Sequence, residues 1–406
     1  MDTQQFSQYL VIFGGAALIF DIFYTYRLAG FLKLINLPNP IRILPWVIMP
    51  LAFISIVYNL YLRIYGITPD TAAEYLFYFA VTWYAPKFFI SPFLILNSLH
   101  KYLAKRISRK PRKYSKVQNF IIGERKSFTR DTAWLLSFMP YFIIIHSFIA
   151  TTYNFRVHEI DIPIEKKSTD LNNLKIVHIS DLHAGSFSSP GKFGLAVDKI
   201  NALNPDIIVI TGDFVNFHHV ELAVIGNGLK DLKSKYGIFG CLGNHDHYMY
   251  PDDHKELIDS LEASGMDILI NEHKKIAIGR DTLLITGVDN ISYRHSFGDL
   301  ESALEGSNPD LPAILLMHDP FKWTRLVKPS GRIDLTLGGH THGGQIVLDA
   351  CGDTLSHMRL RYIHWRGYYN ENGHQLYLTS GIGTVGIPFR FGVRPEITLI
   401  RLKTLK

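Results

Sequence analysis

Five short clusters in the second half of the sequence carry residue types that hold divalent metal ions. They are Asp181-x-His183, Gly212-Asp213, Gly243-Asn244-His245-Asp246, His318 and Gly339-His340-Thr341-His342. The set mixes imidazoles, carboxylates and an amide oxygen. Such donors suit borderline or hard ions such as Mn, Fe or Zn better than soft Cu(I). No fragment is specific by itself: a lone Asp-x-His is common, and a lone His-x-His is usually surface or core histidine. The information lies in the ordered set.

The elements that must position these residues precede them. Lys175–Ile179, Asp206–Ile210, Gly237–Leu242, Ala313–Met317 and Ile333–Leu337 are short apolar runs, and each ends at one of the clusters. Helical patterns fill several gaps, at 191–203, 220–234 and 252–264. Strands alternating with helices predict α/β layers. In open α/β sheets ligands bind beyond the carboxyl ends of the strands, so five strand ends would deliver polar groups to one place.

At these residues the chain resembles the calcineurin-like metallophosphoesterases, over roughly residues 174–401. Gly339-His-Thr-His-Gly-Gly-Gln345, Gly381-Ile-Gly-Thr-Val-Gly-Ile-Pro-Phe-Arg390 and Arg394-Pro-Glu-Ile397 are similar to a bacterial branch that is often membrane-bound. The resemblance implies a layered α/β/β/α sandwich with two mixed sheets over 174–406. It also implies two divalent metal ions. Asp181, His183 and His342 would hold one, Asn244, His318 and His340 the other, and Asp213 would bridge them. His245 would protonate the leaving oxygen or stabilise the phosphoryl charge, and Asp246 could orient a histidine. Arg390 would touch substrate phosphate. The implied reaction is attack of a metal-bridging hydroxide on the phosphorus of a phosphodiester or pyrophosphate. A non-catalytic membrane sensor or interaction protein on the same fold is the alternative. Many relatives carry an aspartate where this chain has Asn216.

Other histidines read more plainly. His178 lies within a predicted strand and is expected in the core. His218, His219, His247 and His254 are expected on loops or helix surfaces, with His247 near enough to line the pocket. Cys241 is expected as a buried thiol, and pairing with Cys351 stays open. Two cysteines exclude a disulfide framework or a four-thiolate zinc site.

The 406-residue chain has only 19% charged residues, below the ~25% of soluble domains. At 13% aromatic content it is no disordered chain. Its net charge of +6 hides two unlike halves. Residues 1–155 hold 16 Lys+Arg against 6 Asp+Glu, leaving 26 of the 42 basic and 30 of the 36 acidic residues for the remainder. A net acidic catalytic half argues against nucleic acid as partner. Four apolar runs, Tyr9–Leu28, Ile43–Tyr65, Ala72–Leu99 and Trp134–Tyr153, are each long enough to cross a ~30 Å hydrocarbon core as a helix. They predict an N-terminal four-span helical bundle over 1–155, with 156–173 as a linker. Residues 101–130 contain eleven Lys or Arg and one acid, Glu124. The positive-inside rule puts that loop in the cytoplasm. The chain is thus expected as an integral protein of the inner or plasma membrane with its catalytic domain on the extracytoplasmic side. Membrane lipids are expected partners, and a lipid-linked phosphate ester or pyrophosphate is an expected substrate. Asp21 and Lys87, within apolar runs, are expected to pair.

Overall fold

In the computed structural model of the chain, the described residues are 14–64, most of 72–84, 87, 94–96, 99 and 141–404 except 167, 293–295, 351–352 and 387. They form two compact units, Met1–Ile145 and His146–Lys406.

In the first unit α1 (Gly15–Leu34) and α2 (Asn39–Ile64) are long apolar helices, and α2 carries Pro45 and Pro50 inside. Among the described residues one stretch, Asn39–Asn59, is long and apolar enough to cross a membrane. The basic segment 101–130 and most of the last apolar run before 141 lie outside the described residues. Asp21 and Lys87 form a buried ion pair. Tyr84 donates to the same carboxylate at 2.7 Å, and the Lys87 ammonium also faces the rings of Tyr24 and Trp83.

The second unit contains two six-stranded mixed sheets. The first has the order β1 (Arg156–Ile164), β14 (Glu396–Thr404), β2 (Lys175–Ile179), β3 (Ile207–Thr211), β4 (Ile238–Cys241), β5 (Met266–Ile268). The second runs β12 (Gly367–Glu371), β13 (His374–Leu378), β9 (Leu335–Gly338), β8 (Ala313–Leu316), β7 (Asp281–Gly287), β6 (Glu272–Ile278). A separate hairpin joins β10 (Leu348–Ala350) to β11 (Asp353–Leu355). The central strands β2, β3, β4, β8 and β9 are buried almost throughout. Two covered faces explain why they read as continuous apolar runs rather than alternating ones.

Between the sheets Ile176, Val209 and Phe239 from one meet Ile285, Leu316 and Leu337 from the other. Helix α3 (Pro190–Ala202) begins with proline at a position where the missing N–H costs nothing, and it buries Phe193, Ala196, Val197 and Ile200. That spacing is one helical face, and it packs on the outer side of the first sheet with Leu257 and Leu261 of α4 (Pro251–Glu262). The segment 220–234, expected to be helical, is helical only over His219–Ile225; Gly226 at φ 57° and Gly228 interrupt it.

The expected linker 156–173 needs correction. Its first nine residues are β1, paired in parallel with β14 from Arg156↔Glu396 to Ile164↔Thr404. Ile162 and Ile164 are wholly buried in the inter-sheet core. The alternation of Ile160, Ile162 and Ile164 is the period-2 signal of a strand, and Pro163 is tolerated because β1 is an edge strand. A fragment beginning at residue 174 would therefore lose a strand and leave β14 with an open edge. It is expected to aggregate, whereas one beginning at residue 146 should give a monodisperse, cooperatively melting protein. Equal behaviour of the two fragments in size-exclusion chromatography and thermal melts would remove β1 from the essential fold.

Candidate metal centre

The clusters meet where strands of both sheets end. β2 ends at Asp181 and His183, β3 at Asp213, β4 at Asn244, β8 at His318 and β9 at His340 and His342. The backbone turns sharply there. Asp181, His183, Asp213, His340 and His342 all have positive φ, between 43° and 68°. Such left-handed conformations cost non-glycine residues roughly 1–3 kcal/mol each and persist only where the surroundings hold them. Two glycines make the approach possible: a Cβ on Gly243 would overlap Asp213 Oδ1, and one on Gly339 would overlap Asp181 Oδ2.

The side-chain donors converge in two groups. His183 Nε2 lies 3.2 Å from His342 Nε2, which is 3.3 Å from Asp181 Oδ1. His318 Nε2 lies 3.2 Å from His340 Nδ1. Asp213 Oδ2 stands 3.5 Å from His183 Nε2 and 3.1 Å from His318 Nε2, so it belongs to both groups. Donor atoms about 2.05 Å from one tetrahedral ion sit about 3.3 Å from each other, and these separations cluster there. One buried atom points to the same conclusion, because Asn244 Oδ1 has no hydrogen-bond partner. The residues therefore fit divalent metal, and Asp181–His183–His342 and Asp213–His318–His340 are two groups that could each hold an ion.

Electrostatics agree. Burial pushes the Asp181 carboxyl up. Burial would also raise Asp213, but His318 and His245 outweigh it and hold its carboxyl well below the usual range. Burial lowers His183 to about 3 and holds His342 well below its usual value, which favours the neutral form that metal-binding imidazoles need. His318 departs from this pattern, raised despite its burial by the Asp213 carboxylate beside it.

Supporting contacts fix these groups. The Asp246 carboxylate accepts backbone N–H bonds from Asp213, Phe214 and Gly243. It holds the loop that carries Asp213 rather than a histidine ring, the partner expected for it. Asp181 accepts the N–H of His340, and His318 Nδ1 donates to the Thr211 carbonyl at 2.7 Å. His245 Nδ1 donates to the carbonyl of Asn216 at 2.8 Å, and its ring packs edge-on to His183. His178 is a core residue bonded to Thr211. His247 pairs with Asp289 at 2.7 Å and stacks between His254 and Phe297. Cys241 is buried between the sheets; Cys351 lies outside the described residues.

Several contributors have no motif to announce them. Tyr362 bonds His340 Nε2 at 2.8 Å and so leaves Nδ1 to face the centre. Tyr248 receives the Asn244 amide N–H at 2.7 Å, with the Asn244 oxygen left unpaired. Glu221 accepts from the backbone N–H groups of Gly185, Asn216 and Phe217, tying the turn after His183 to the segment that holds His245.

The residues match the model of the calcineurin-like phosphoesterases over 174–344. The chain is 29% identical over 373 residues to a Danio rerio "transmembrane protein with metallophosphoesterase domain", covering 88% of this chain and 80% of that protein. A Bos taurus protein of the same description is 34% identical over 61% of this chain and 57% of its own length. The Bacillus subtilis metallophosphoesterase YkoQ is 30% identical over 271 residues, which are 65% of this chain and 95% of that protein. The chain belongs to the calcineurin-like metallophosphoesterases. Membership makes it a metal-dependent phosphoester hydrolase.

One site residue of this metallophosphoesterase needs correction. Arg390 is fully buried, and its guanidinium is spent on backbone carbonyls of Ser380, Gly381 and Gly383 at 2.6–3.2 Å, with His342 at 3.5 Å. It is an internal brace for the loop beside His342, not a substrate contact. Arg390→Met should destabilise the protein by about 3 kcal/mol or more, since buried carbonyls lose their donors. Arg390→Lys should also destabilise, because a single ammonium cannot replace the fork. Unchanged melting with a selectively raised KM would return Arg390 to the substrate.

Proposed function

We propose that the chain is a membrane-anchored phosphohydrolase with a binuclear centre, acting on a phosphodiester or pyrophosphate bond. The observation that carries the reading is Asp213: one buried carboxylate oxygen faces a histidine of each ligand group. Carboxylates are suited to span ions ~3.5–4 Å apart. In this reading Asp181, His183 and His342 hold one ion, Asn244, His318 and His340 the other, and Asp213 serves both. When bound, two divalent ions acidify a water molecule and offset charge on the phosphoryl oxygens.

The chain's own residues supply the rest. With Nδ1–H given to Asn216, His245 has Nε2 as the atom that carries a second proton and passes it to the leaving oxygen. Asp246 and Glu221 keep Asp213 and His245 in register through backbone N–H groups, so neither loop relaxes as charge moves. The ligands' left-handed backbones are held by the sheets before substrate arrives, which is preorganisation.

The anchoring part of the proposal is a four-span region over 1–155. It is supported by the transmembrane description of the vertebrate relatives, the apolar length of Asn39–Asn59 and the basic segment 101–130. The positive-inside bias favours an extracytoplasmic catalytic unit. An active site attached to a bilayer meets membrane-borne substrate at high local concentration, which favours a lipid-linked phosphate ester or pyrophosphate.

With Mn²⁺ supplied, the purified chain should hydrolyse bis-p-nitrophenyl phosphate, and chelation should abolish that activity. Asp213→Asn should lose both turnover and bound metal; metal content and rate at wild-type levels would sink the binuclear reading. His245→Ala should retain metal while kcat falls roughly 10²–10⁴-fold, less with an acidic leaving group. Topology is a separate test. Alkaline phosphatase fused after Lys406 should be active and a cytoplasm-restricted fluorescent reporter dark; the reverse pattern would overturn the orientation.

A further inference from the structure

The two most exposed large apolar side chains among the described residues are Leu360, at 91%, and Ile363, at 87%. Both lie in the loop between the β10–β11 hairpin and β12. Arg359 and Arg361 flank Leu360 and are themselves exposed. At the foot of the loop Leu348 and Leu355 face each other across the hairpin, 50% and 56% exposed. Apolar tips set between arginines are poorly suited to water. They match a lipid–water interface, where aliphatic groups enter the acyl boundary and guanidinium groups meet anionic head groups.

Two connections give this patch a direction. Tyr362 sits between the exposed residues and holds His340, while Thr341, next to His340, donates to the carbonyl of Trp365. The loop is therefore built directly onto the metal centre. Just before the hairpin Val347 N–H donates to the Phe391 carbonyl at 2.8 Å. One residue away, Arg390 N–H donates to Ser147 Oγ at 2.8 Å, and Thr152 Oγ1 donates to the Pro388 carbonyl at 3.0 Å. Ser147–Thr151 is the end of the last apolar run. The place where the chain leaves that run is thus bonded to the segment 388–390, whose next residue, Phe391, holds Val347 just before the hairpin.

We infer that Leu348, Leu355 and the segment Arg359–Ile363 form a docking surface for the anionic bilayer, presenting the metal centre to phosphate groups at the head-group level. The inference rests on the membrane-anchored reading above and adds to it the part of the catalytic unit that meets lipid.

The test uses the full chain in nanodiscs of phosphatidylcholine with or without phosphatidylglycerol. Cys351→Ser removes the second thiol, and Leu360→Cys, Ile363→Cys or, as control, Leu195→Cys carries an environment-sensitive fluorophore; Leu195 is 46% exposed on α3. Labels at 360 and 363 should shift to the blue and be quenched by brominated lipid, while the label at 195 stays open to aqueous iodide. Arg359→Glu with Arg361→Glu should weaken docking on phosphatidylglycerol roughly five-fold per arginine and leave turnover of bis-p-nitrophenyl phosphate unchanged. Labels at 360 and 363 as open to iodide as the one at 195, in discs that carry the protein, would overturn the docking surface alone. Shielding that appears in detergent without lipid and grows with protein concentration would overturn it in favour of a second copy of the chain. Failure of the protein to co-purify with discs would remove the docking surface and the anchor together. Fluorescence reads docking independently of turnover, so a failure of the hydrolase reading shows up separately.

Discussion

Asp213 is a carboxylate almost sealed from water, with imidazoles facing it from both sheets. Left alone, an ionised group at that depth is unfavourable; beside His318 and His245 its carboxyl stays charged. The catalytic unit is arranged around keeping that balance. Asp246 holds the backbone on either side of it through Asp213 and Phe214, Gly243 yields room for its oxygen, and His245 donates its own backbone N–H to the same carboxylate at 2.9 Å. A change at any of these contacts reaches the carboxylate without touching it.

The unfavourable backbone follows from the same requirement. On an extended exit residues i and i+2 share a face but stand ~6.6 Å apart along the chain. A left-handed residue folds the exit back at once. Asp181 and His183, and likewise His340 and His342, are each drawn into a tighter turn in this way. Buried strands such as β3 and β9, each covered on one face by the other sheet, supply the rigidity that keeps these conformations from relaxing.

What could be read from the sequence follows the same physics. Apolar strands ending in metal-binding residues are legible because composition changes abruptly at each strand end, and the structure brings all of those ends together. β1 was not distinguished from a linker because Arg156, Glu159 and Asp161 break its apolar run and Pro163 suggests a loop; its partner lies at the far end of the chain, which no local pattern reveals. Arg390 misleads for a related reason: an arginine in a glycine-rich segment near a phosphate site looks like a ligand contact, and only the placement of four carbonyls shows that its charge is satisfied internally. Tyr362 and Tyr248 have no sequence signal, since a tyrosine hydroxyl can meet a ligand-bearing side chain from any loop. The first half stands apart in the sequence by its long apolar runs and basic charge, and among the described residues one stretch, Asn39–Asn59, is long and apolar enough to cross a membrane.

The position of β14 has a kinetic consequence. β1 and β2 are consecutive in sequence but are not neighbours; the strand Glu396–Thr404 lies between them, parallel to one and antiparallel to the other. Until β14 has emerged from the ribosome, both edges of the gap stay unpaired and the inter-sheet core lacks Ile400 and Leu402. Contacts of such long sequence separation form slowly. Completion of the first sheet therefore waits for β14, and a product truncated before Glu396 is left with open strand edges.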